Sequence, residues 1–232
     1  MPEATYQLRR GEIETYFDRT AATAWARLTS DAPVSGIRAR VRAGRDAMRA
    51  TILSYLPDDL TGARLLDAGC GTGALSLEAA ARGADVVAVD LSPTLIDLAR
   101  SRAANIPAAA HIEFRAGDML DASLGSFDFV VAMDSLIHYQ RADVVASLAR
   151  IAPRVRHSII FTFAPGTPLL VTARMIGRLF PRSDRSPAIE PQPEAKLRRA
   201  IRQTPALAGL TPARTNRISR SFYISQALEL SR

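Results

Sequence analysis

Apolar residues change their spacing repeatedly along the middle of the chain, and the change predicts strands that alternate with helices. Short apolar runs are typical of buried strands, whereas apolar residues three and four positions apart are typical of a helix that packs on one face. The strand-like runs lie at about 63–68, 85–90, 111–116, 126–132 and 157–164. The helical segments lie at about 73–82, after Ser92-Pro93 and at 141–151. Strands that are separated by helical crossovers predict a parallel sheet with helices on both faces.

The last third of the chain departs from this alternation. It contains an apolar helical segment at 167–180 and, after a proline-containing loop, a charged helical segment at about 194–203. Two strand-like runs follow, near 211–219 and 221–230. Because too few residues separate these runs for a crossover, we expect them to pair as an antiparallel hairpin.

Two helical segments precede the sheet. Residues 5–30 predict a short helical arm, and residues 36–56 predict a longer amphipathic helix whose arginines form a stripe beside its apolar face. We therefore expect an N-terminal helical arm or cap over residues 1–60. The core would occupy residues 61–232 and carry a lid insertion at about 166–205.

The length, charge and cysteine content of the chain limit the kinds of protein that it can be. The 232 residues can bury a full core, and the formal net charge of +7 is carried almost wholly by arginine, since Lys196 is the only lysine. Cys70 is the only cysteine, so no internal disulfide can form. The chain has no apolar stretch of about 18 residues and no secretory signal. We expect a cytoplasmic protein, or one that is peripheral on a membrane.

A glycine-rich turn follows the first strand of the sheet. It reads Asp67-Ala68-Gly69-Cys70-Gly71-Thr72-Gly73, and Asp90 closes the next strand. Glycine lets the backbone approach a ligand closely or take a positive φ, and the helix that follows presents unpaired N–H groups. An acid at the end of the second strand can accept hydrogen bonds from the hydroxyls of a ribose. The cluster therefore predicts a site for a nucleotide-type cofactor.

Two details favour S-adenosylmethionine over a dinucleotide, although the turn also satisfies the looser pattern G-x-G-x-x-G/A. Asp67 would repel a pyrophosphate, but it suits the ammonium of a methionine moiety. Gly73 adds a third glycine to the motif. Five parallel strands closed by a hairpin are the arrangement of the class I methyltransferases. We therefore predict an α/β, Rossmann-like class I methyltransferase with a mostly parallel seven-stranded sheet, a C-terminal antiparallel hairpin and an N-terminal helical arm.

The carboxyl ends of the other strands carry residues that would meet at one edge of the sheet. Leu91 would cover the adenine, and Asp118 would accept from its amino group beside the backbone N–H of Met119. Asp134 and Ser135 would line the methionine end, although an acid at such a position also serves as a helix cap or turn residue. The predicted cofactor-binding residues are Asp67, Gly69, Cys70, Gly71, Thr72, Gly73, Asp90, Leu91, Asp118, Met119, Asp134 and Ser135.

The loop after the fourth strand carries the run Leu136-Ile137-His138-Tyr139. A nucleic-acid amino methyltransferase would carry a proline-proline-aromatic motif at this place, and its absence argues against nucleic acid as a partner. His138 lies where an acceptor would meet the methyl group. We predict a functional role for His138, with a hydrogen-bonding scaffold as the alternative.

Several sequence runs outside the glycine turn are more specific for a single protein family than the turn itself, which indicates only the superfamily. They are Tyr16-Phe17-Asp18 with Trp25, Arg42-Ala43-Gly44-Arg45, Asp134-Ser135-Leu136-Ile137-His138-Tyr139, Phe163-Ala164-Pro165, Ile176-Gly177-Arg178-Leu179-Phe180-Pro181 and Phe222-Tyr223-Ile224-Ser225. Through them the chain resembles the magnesium-protoporphyrin IX O-methyltransferases of (bacterio)chlorophyll synthesis over nearly its whole length. The resemblance implies transfer of a methyl group to one propionate of magnesium protoporphyrin IX, with Tyr16 and His138 as catalytic residues. It further implies that magnesium comes with the substrate, that the protein binds no metal of its own, and that the porphyrin-binding subunit of magnesium chelatase is a partner.

A propionate acceptor needs little chemical activation. Its pKa is close to that of a glutamic acid, about 4.3, so it is already ionised at neutral pH and needs no general base. We expect His138 to orient the carboxylate or the porphyrin edge and Tyr16 to close the pocket from the arm. Tyr139 and Arg42 are the predicted substrate-binding residues; Arg42 or a neighbouring arginine would pair with the second propionate, with a solvated helix face as the alternative. Two alternatives stay open: a methyltransferase for another small molecule such as a quinone, and a non-catalytic porphyrin escort.

Overall fold

Seven strands form one sheet, as the alternation of apolar runs predicts. The structure is a computed structural model that describes residues 2–20, 28–29, 36–166, 188–220 and 223–232. The strands are β1 (Arg64–Ala68), β2 (Asp85–Asp90), β3 (Ile112–Ala116), β4 (Phe127–Ala132), β5 (Val155–Phe163), β6 (Thr211–Arg220) and β7 (Tyr223–Ser231). Their order is β3-β2-β1-β4-β5-β7-β6, and β1 to β5 are parallel. Because β7 runs antiparallel to β5 and β6, the predicted fold class and C-terminal hairpin are confirmed.

Helices cover the sheet close to where the sequence predicts them. The described α-helices are α1 (Pro2–Thr15), α2 (Gly36–Leu53), α3 (Ala74–Ala81), α4 (Pro93–Ala103), α5 (Arg141–Ile151) and α6 (Glu194–Arg202). A π-helical turn at Tyr16–Thr20 extends α1 within the predicted helical arm, although its π form was not predicted. A short 3-10 helix at Leu136–His138, which was not predicted, follows β4. The predicted helix at 167–180 lies outside the described residues. None of the described helices combines the length and the apolar character that crossing a bilayer requires.

The core consists of two apolar clusters, one on each face of the sheet. Successive strand residues point to opposite faces, so Leu66 and Ile159 enter one cluster while their neighbours Leu65 and Ile160 enter the other. Residues of α1, α5 and α6 complete the first cluster. Residues of α2 and α3 complete the second. Both faces are therefore covered, as a parallel sheet requires.

The two N-terminal helices pack against opposite faces of this core. On α1, Tyr6 and Ile13 are buried in the first cluster, and Thr5 Oγ1 donates a hydrogen bond to Asp143 Oδ1 of α5 at 2.6 Å. On α2, Ile52 is fully buried in the second cluster. Since both helices share the core of the sheet, the boundary placed after residue 60 stays a prediction.

The chain is tied to the sheet on both sides of residues 167–187, which lie outside the described part. Pro165 forms a bridge with Gln192, so the segments before and after this stretch lie side by side. Further on, α6 buries Leu197 in the first cluster. The predicted lid at about 166–205 thus ends in a helix that belongs to the core. The lid itself stays a prediction.

Candidate functional site

A cavity of about 560 Å³ opens at the carboxyl ends of β1, β2 and β4. Ligands of open α/β sheets bind at this edge, and the volume is typical of a pocket for a small organic ligand. The glycine turn and the loops after the strands form its floor, while α1, α2 and the start of β7 supply walls. Within the described part of the chain, no group of three or more His, Cys, Asp or Glu side chains is placed to hold a metal ion.

The glycine turn lies on the cavity floor between β1 and α3. Gly69 has a φ of 86°, a conformation that favours glycine. A β-carbon on Gly69 would lie 2.4 Å from the β-carbon of Ser135, so the close approach of two loops also requires glycine there. Gly73, with a φ of 79°, caps the start of α3. Burial raises the pKa of the Cys70 thiol, which therefore stays protonated. The turn contributes to the cavity lining through Gly69, Cys70, Gly71 and Thr72.

Asp67 faces the cavity from the end of β1 and is 1% exposed. The hydroxyl of Ser76 donates to its Oδ2 at 2.6 Å. Burial raises the pKa of Asp67 to about 7, against the opposing effect of the Ser76 hydrogen bond. A cation beside a buried carboxyl group favours its ionised form. The surroundings of Asp67 therefore suit the ammonium group that the sequence predicts beside it.

Asp90 faces the same cavity from the end of β2. Its Oδ2 accepts the backbone N–H of Gly71 at 2.9 Å, and its Oδ1 accepts that of Ser92 at 3.0 Å. These donors fix the orientation of the carboxylate, while burial raises its pKa. Leu91 and Met119 line the cavity nearby. A carboxylate has further acceptor sites, so this group can also accept from the hydroxyls of a ligand.

Asp118 is engaged by the N-terminal arm. The hydroxyl of Tyr6 donates to its Oδ1 at 2.8 Å, and Arg10 Nη1 donates to its Oδ2 at 3.1 Å. The backbone N–H of Leu120 also donates to Oδ1, at 2.9 Å. Asp118 thus fastens α1 to the loop after β3. Its predicted contact with an adenine amino group stays a prediction.

The loop after β4 brings Asp134 and Ser135 to the cavity. Asp134 has a φ of 55°, a value that residues other than glycine adopt only rarely. Its carboxylate accepts from Arg45 Nη1 at 2.7 Å and from the Tyr223 hydroxyl at 3.0 Å. Ser135 Oγ is buried and has no hydrogen-bond partner among the described residues. Because a buried hydroxyl without a partner is unfavourable, this oxygen points to a ligand that completes its hydrogen bonding.

Aromatic side chains from the loop after β4 and from the arm form another wall. His138 is 6% exposed, and its ring centroid lies 6.2 Å from that of Phe17. Tyr139 is buried and stacks on Tyr6, with centroids 5.0 Å apart and an interplanar angle of 19°. All four residues line the cavity. Burial raises the pKa of both tyrosine hydroxyls, so they stay protonated at neutral pH.

Tyr16 lies behind this wall. It begins the π-helical turn and packs edge-on against Phe17, with ring centroids 5.1 Å apart and planes at 85°. Within residues 2–20, the cavity lining consists of Tyr6, Ile13 and Phe17. Tyr16 therefore contacts a lining residue, and its predicted catalytic role stays a prediction.

Arginines on α2 line one side of the cavity, where Arg45 pairs with Asp134 and Arg49 pairs with Asp46 and Glu78. Arg42, Arg45 and Arg49 all line it, because residues three and four apart lie on one face of a helix. Arg42 Nε donates to the backbone oxygen of Leu28 at 2.9 Å. The structure thus places Arg42 where a negatively charged part of a ligand can reach it, and it brings Arg45 and Arg49 of the same predicted stripe to the cavity as well.

Several lining residues were not singled out as site residues from the sequence. Four of these belong to the sequence runs that carry the family resemblance: Phe17, Arg45, Tyr223 and Ser225. Their place in those runs was the one sequence feature that could have identified them as site residues. Tyr6 lies outside those runs. Its part in the site depends on how α1 docks, which no local pattern reveals.

Family models, curated relatives and a solved structure that match this chain are all methyltransferases. A family model described as magnesium-protoporphyrin IX methyltransferase C-terminus matches residues 132–232, and one described as methyltransferase domain matches residues 65–157. The magnesium-protoporphyrin O-methyltransferase of Rhodobacter capsulatus is 51% identical over 95% of each chain. Its namesake from Synechocystis is 30% identical, again over 95% of each chain. The crystal structure of a Synechocystis magnesium protoporphyrin IX methyltransferase with bound S-adenosylhomocysteine superposes with a TM-score of 0.80, at 30% identity, over 96% of this chain and 99% of the other.

Proposed function

The chain belongs to the magnesium-protoporphyrin IX methyltransferase family, and from this premise we propose its reaction. It transfers a methyl group from S-adenosylmethionine to a propionate carboxylate of magnesium protoporphyrin IX. The product is the monomethyl ester of (bacterio)chlorophyll biosynthesis. The observation that carries the proposal is one cavity in which the glycine turn and the His138 loop face each other, in a chain 51% identical to a protein named for this reaction.

The floor of the cavity fits S-adenosylmethionine, which supplies a methyl group on a positively charged sulfur. Asp67 would hold the ammonium of the methionine moiety. Asp90 would hold the ribose hydroxyls, with its carboxylate already oriented by the N–H groups of Gly71 and Ser92. Ser135 Oγ, which has no partner among the described residues, would contact the methionine end.

The remaining walls fit a flat apolar ring system that carries acidic side chains. Phe17 and Tyr139 offer aromatic surfaces, and Ile137 offers an aliphatic one. Arg42, on the side of the cavity that α2 lines, would pair with the propionate that is not methylated. The magnesium ion belongs to the substrate, so it needs no ligand set of the protein's own.

The residues around the acceptor have to align a group rather than activate it. A propionate, with a pKa of about 4.3, is ionised at neutral pH, so no proton has to leave before the carboxylate oxygen reacts. Alignment of reacting groups in a pocket that excludes water accounts for much of the rate of such reactions. His138 would orient the carboxylate or the porphyrin edge. Tyr16 would close the pocket from the arm through its contact with Phe17.

The organisation of the chain and its setting are part of the proposal. Residues 1–60 act as an arm and cap over the core of residues 61–232, with the lid at about 166–205; the arm's contribution of Tyr6 and Phe17 to the cavity supports this role. Because the substrate already carries magnesium, the porphyrin-binding subunit of magnesium chelatase would deliver it. The protein would act in the cytoplasm, attached peripherally to the photosynthetic membrane.

The proposed function can be tested by measuring pigment binding and methyl transfer in the same sample. The full chain is mixed with magnesium protoporphyrin IX and S-adenosylmethionine, and both the Soret band and the pigment products are followed. We expect a Soret shift together with formation of the monomethyl ester. A Soret shift without ester would identify a non-catalytic escort, and methyl transfer to a quinol but not to the porphyrin would identify a different acceptor class. Either result overturns the proposal.

A further inference from the structure

The carboxylate of Asp134 is enclosed by donors from three other elements. Arg45 Nη1 of α2 donates to Oδ2 at 2.7 Å. The hydroxyls of Tyr223 and Ser225, both on β7, donate to Oδ1 at 3.1 Å each, and that of Tyr223 also lies 3.0 Å from Oδ2. Thr162 Oγ1 of β5 lies 3.2 Å from Oδ1 and accepts the backbone N–H of Asp134 at 2.7 Å. A carboxylate offers about four lone-pair sites, so the protein itself takes up the acceptor capacity of Asp134.

This network holds a backbone conformation that most residues avoid. Asp134 has a φ of 55°, in the left-handed region that aspartate tolerates better than most residues but does not favour. The next residue, Ser135, is pressed against the glycine turn, where a β-carbon on Gly69 would lie 2.4 Å from its own. His138 follows in the same loop. The left-handed residue therefore sets where the loop of Ser135 and His138 lies relative to the turn.

The packing of α2 against β7 makes the network rigid. A β-carbon on Gly44 would lie 2.6 Å from Cδ1 and 2.8 Å from Cγ of Tyr223, so the ring lies directly on the helix backbone. Arg45, the next residue of α2, then reaches Asp134, whose side chain is 6% exposed. Gly44 is needed here because any side chain would displace the Tyr223 ring and its hydroxyl.

We propose that Asp134, held by Arg45 and Tyr223, is a positioning residue for methyl transfer. It fixes the loop from Met133 to His138 at a set distance from the glycine turn, so that the acceptor and the methyl donor meet in line. The inference rests on the proposed function and concerns which residues make that reaction fast. Its carboxylate acts through the loop and not as a direct ligand of the methionine moiety.

Variants of the network separate positioning from binding. Asp134→Asn keeps the shape of the side chain but removes the charge that Arg45 and Tyr223 hold. We expect kcat to fall by about a hundredfold, since a misplacement of about 1 Å has an effect of this size. The affinity for S-adenosylhomocysteine should fall far less than kcat, because the glycine turn, Asp67 and Asp90 lie outside the loop that moves. The KM for magnesium protoporphyrin IX should also change far less than kcat. Tyr223→Phe and Gly44→Ala should lower kcat in the same way, and Arg45→Lys, which keeps the charge, should lower it less.

A second buried carboxylate on β7 provides the matched control. Glu229 is 5% exposed and accepts from Arg214 Nε at 2.6 Å and from Arg214 Nη2 at 2.8 Å. Neither residue lines the described cavity. Glu229→Gln should lower the melting temperature at least as much as Asp134→Asn and leave kcat unchanged.

Hydrogen exchange of the amides of residues 133–138 tests the positioning role without any turnover. Asp134→Asn should speed exchange in this loop, while Glu229→Gln should not. The inference is overturned if exchange in the loop is unchanged, if Asp134→Asn weakens S-adenosylhomocysteine binding tenfold with kcat retained, or if Glu229→Gln lowers kcat equally. Faster loop exchange in Asp134→Asn, with no ester formed even by the unaltered chain, would instead contradict the proposed function and leave the loop contact standing.

Discussion

At the scale of single residues, the site depends on how closely the glycine turn approaches the loop after β4. Gly69 combines a φ of 86° with a neighbour, Ser135, that leaves no space for a β-carbon. Gly62 offers a comparison, because its φ is 76° and a β-carbon there would meet nothing within 4 Å. The two glycines share the backbone conformation, and only Gly69 has the close approach.

Replacement of these glycines by alanine tests that approach. The left-handed conformation alone should make each change cost roughly 1–2 kcal/mol of stability, and the clash with Ser135 should make Gly69→Ala cost more than Gly62→Ala. Gly69→Ala should also weaken S-adenosylhomocysteine binding by tenfold or more, as the turn has to move away from Ser135. Isothermal titration calorimetry on Gly69→Ala and Gly62→Ala measures the difference. Equal affinities in the two variants would show that the contact does not matter.

The raised pKa of Asp67 predicts a pH dependence of cofactor binding. In the free protein the carboxyl group holds its proton below its pKa of about 7, whereas an ammonium ligand requires the carboxylate. Affinity for S-adenosylhomocysteine should therefore fall as the pH drops through 7, by about tenfold at one unit below the pKa.

Asp67→Asn is the control for this pH dependence. It removes the titrating group, so its binding should be weaker at pH 8 and should lose the change that centres near the pKa of about 7. Calorimetric titrations of both proteins from pH 5.5 to 8 cover this range. An unaltered slope in Asp67→Asn would assign the titration to another group.

Residues at strand ends could be predicted where their chemistry is local. Asp67 stands just before the glycine turn in the sequence and Asp90 closes the next strand, and the structure brings both to one cavity. The surroundings of Asp134 could not be predicted, because its partner Tyr223 lies 89 positions away and arrives through the pairing of β7 with β5. Similarly, Asp118 meets Tyr6 across 112 positions.

At the scale of elements, α1 docks on the cavity wall through aromatic and polar contacts beside the buried side chains of Tyr6 and Ile13. Its contacts include the stack of Tyr6 on Tyr139 and the hydrogen bonds from Tyr6 and Arg10 to Asp118. These contacts lie beside the predicted adenine position. The docking of α1 is therefore sensitive to single polar groups.

Tyr6→Phe removes one such group and keeps the aromatic stack. The loss of a hydrogen bond to a carboxylate should destabilise the docking of α1 by about 1–2 kcal/mol. Faster hydrogen exchange of the α1 amides would report it. Glu12→Gln is the control, since Glu12 is half exposed and pairs with Arg9 on the surface, where such pairs contribute about 0–1 kcal/mol. Equal exchange in both variants would show that the Tyr6 hydroxyl does not hold the arm.

The regular helices and strands were predictable because the periodic pattern of apolar residues in each of them continues over the whole element. The segments predicted for β2 and α5, 85–90 and 141–151, coincide with the observed elements. The π form of the turn at Tyr16–Thr20, inside the predicted helical arm, and the 3-10 helix at Leu136–His138 were not predicted, since segments this short have no periodicity of their own. Both of these irregular segments border the cavity.

At the scale of the whole molecule, one cavity joins parts of the chain that are far apart in sequence. The sheet supplies the cofactor floor, while α1, α2 and the start of β7 supply the walls on which an acceptor would lie. The parallel sheet and its terminal hairpin follow from the alternation of elements and from short connections, so they could be predicted; the strand order is known only from the structure. The runs that carry the family resemblance indicate the acceptor, whereas the way in which three distant segments assemble the walls is encoded by no local pattern.

The most direct test of the central claim is methyl transfer by the purified full chain. S-adenosylmethionine with a deuterated methyl group is incubated with magnesium protoporphyrin IX, and the pigment is analysed by chromatography and fragmentation mass spectrometry. We expect one labelled methyl ester on one propionate and an unlabelled second propionate. Pigment that is bound but recovered unchanged, or a label located on any atom other than a propionate oxygen, would contradict it.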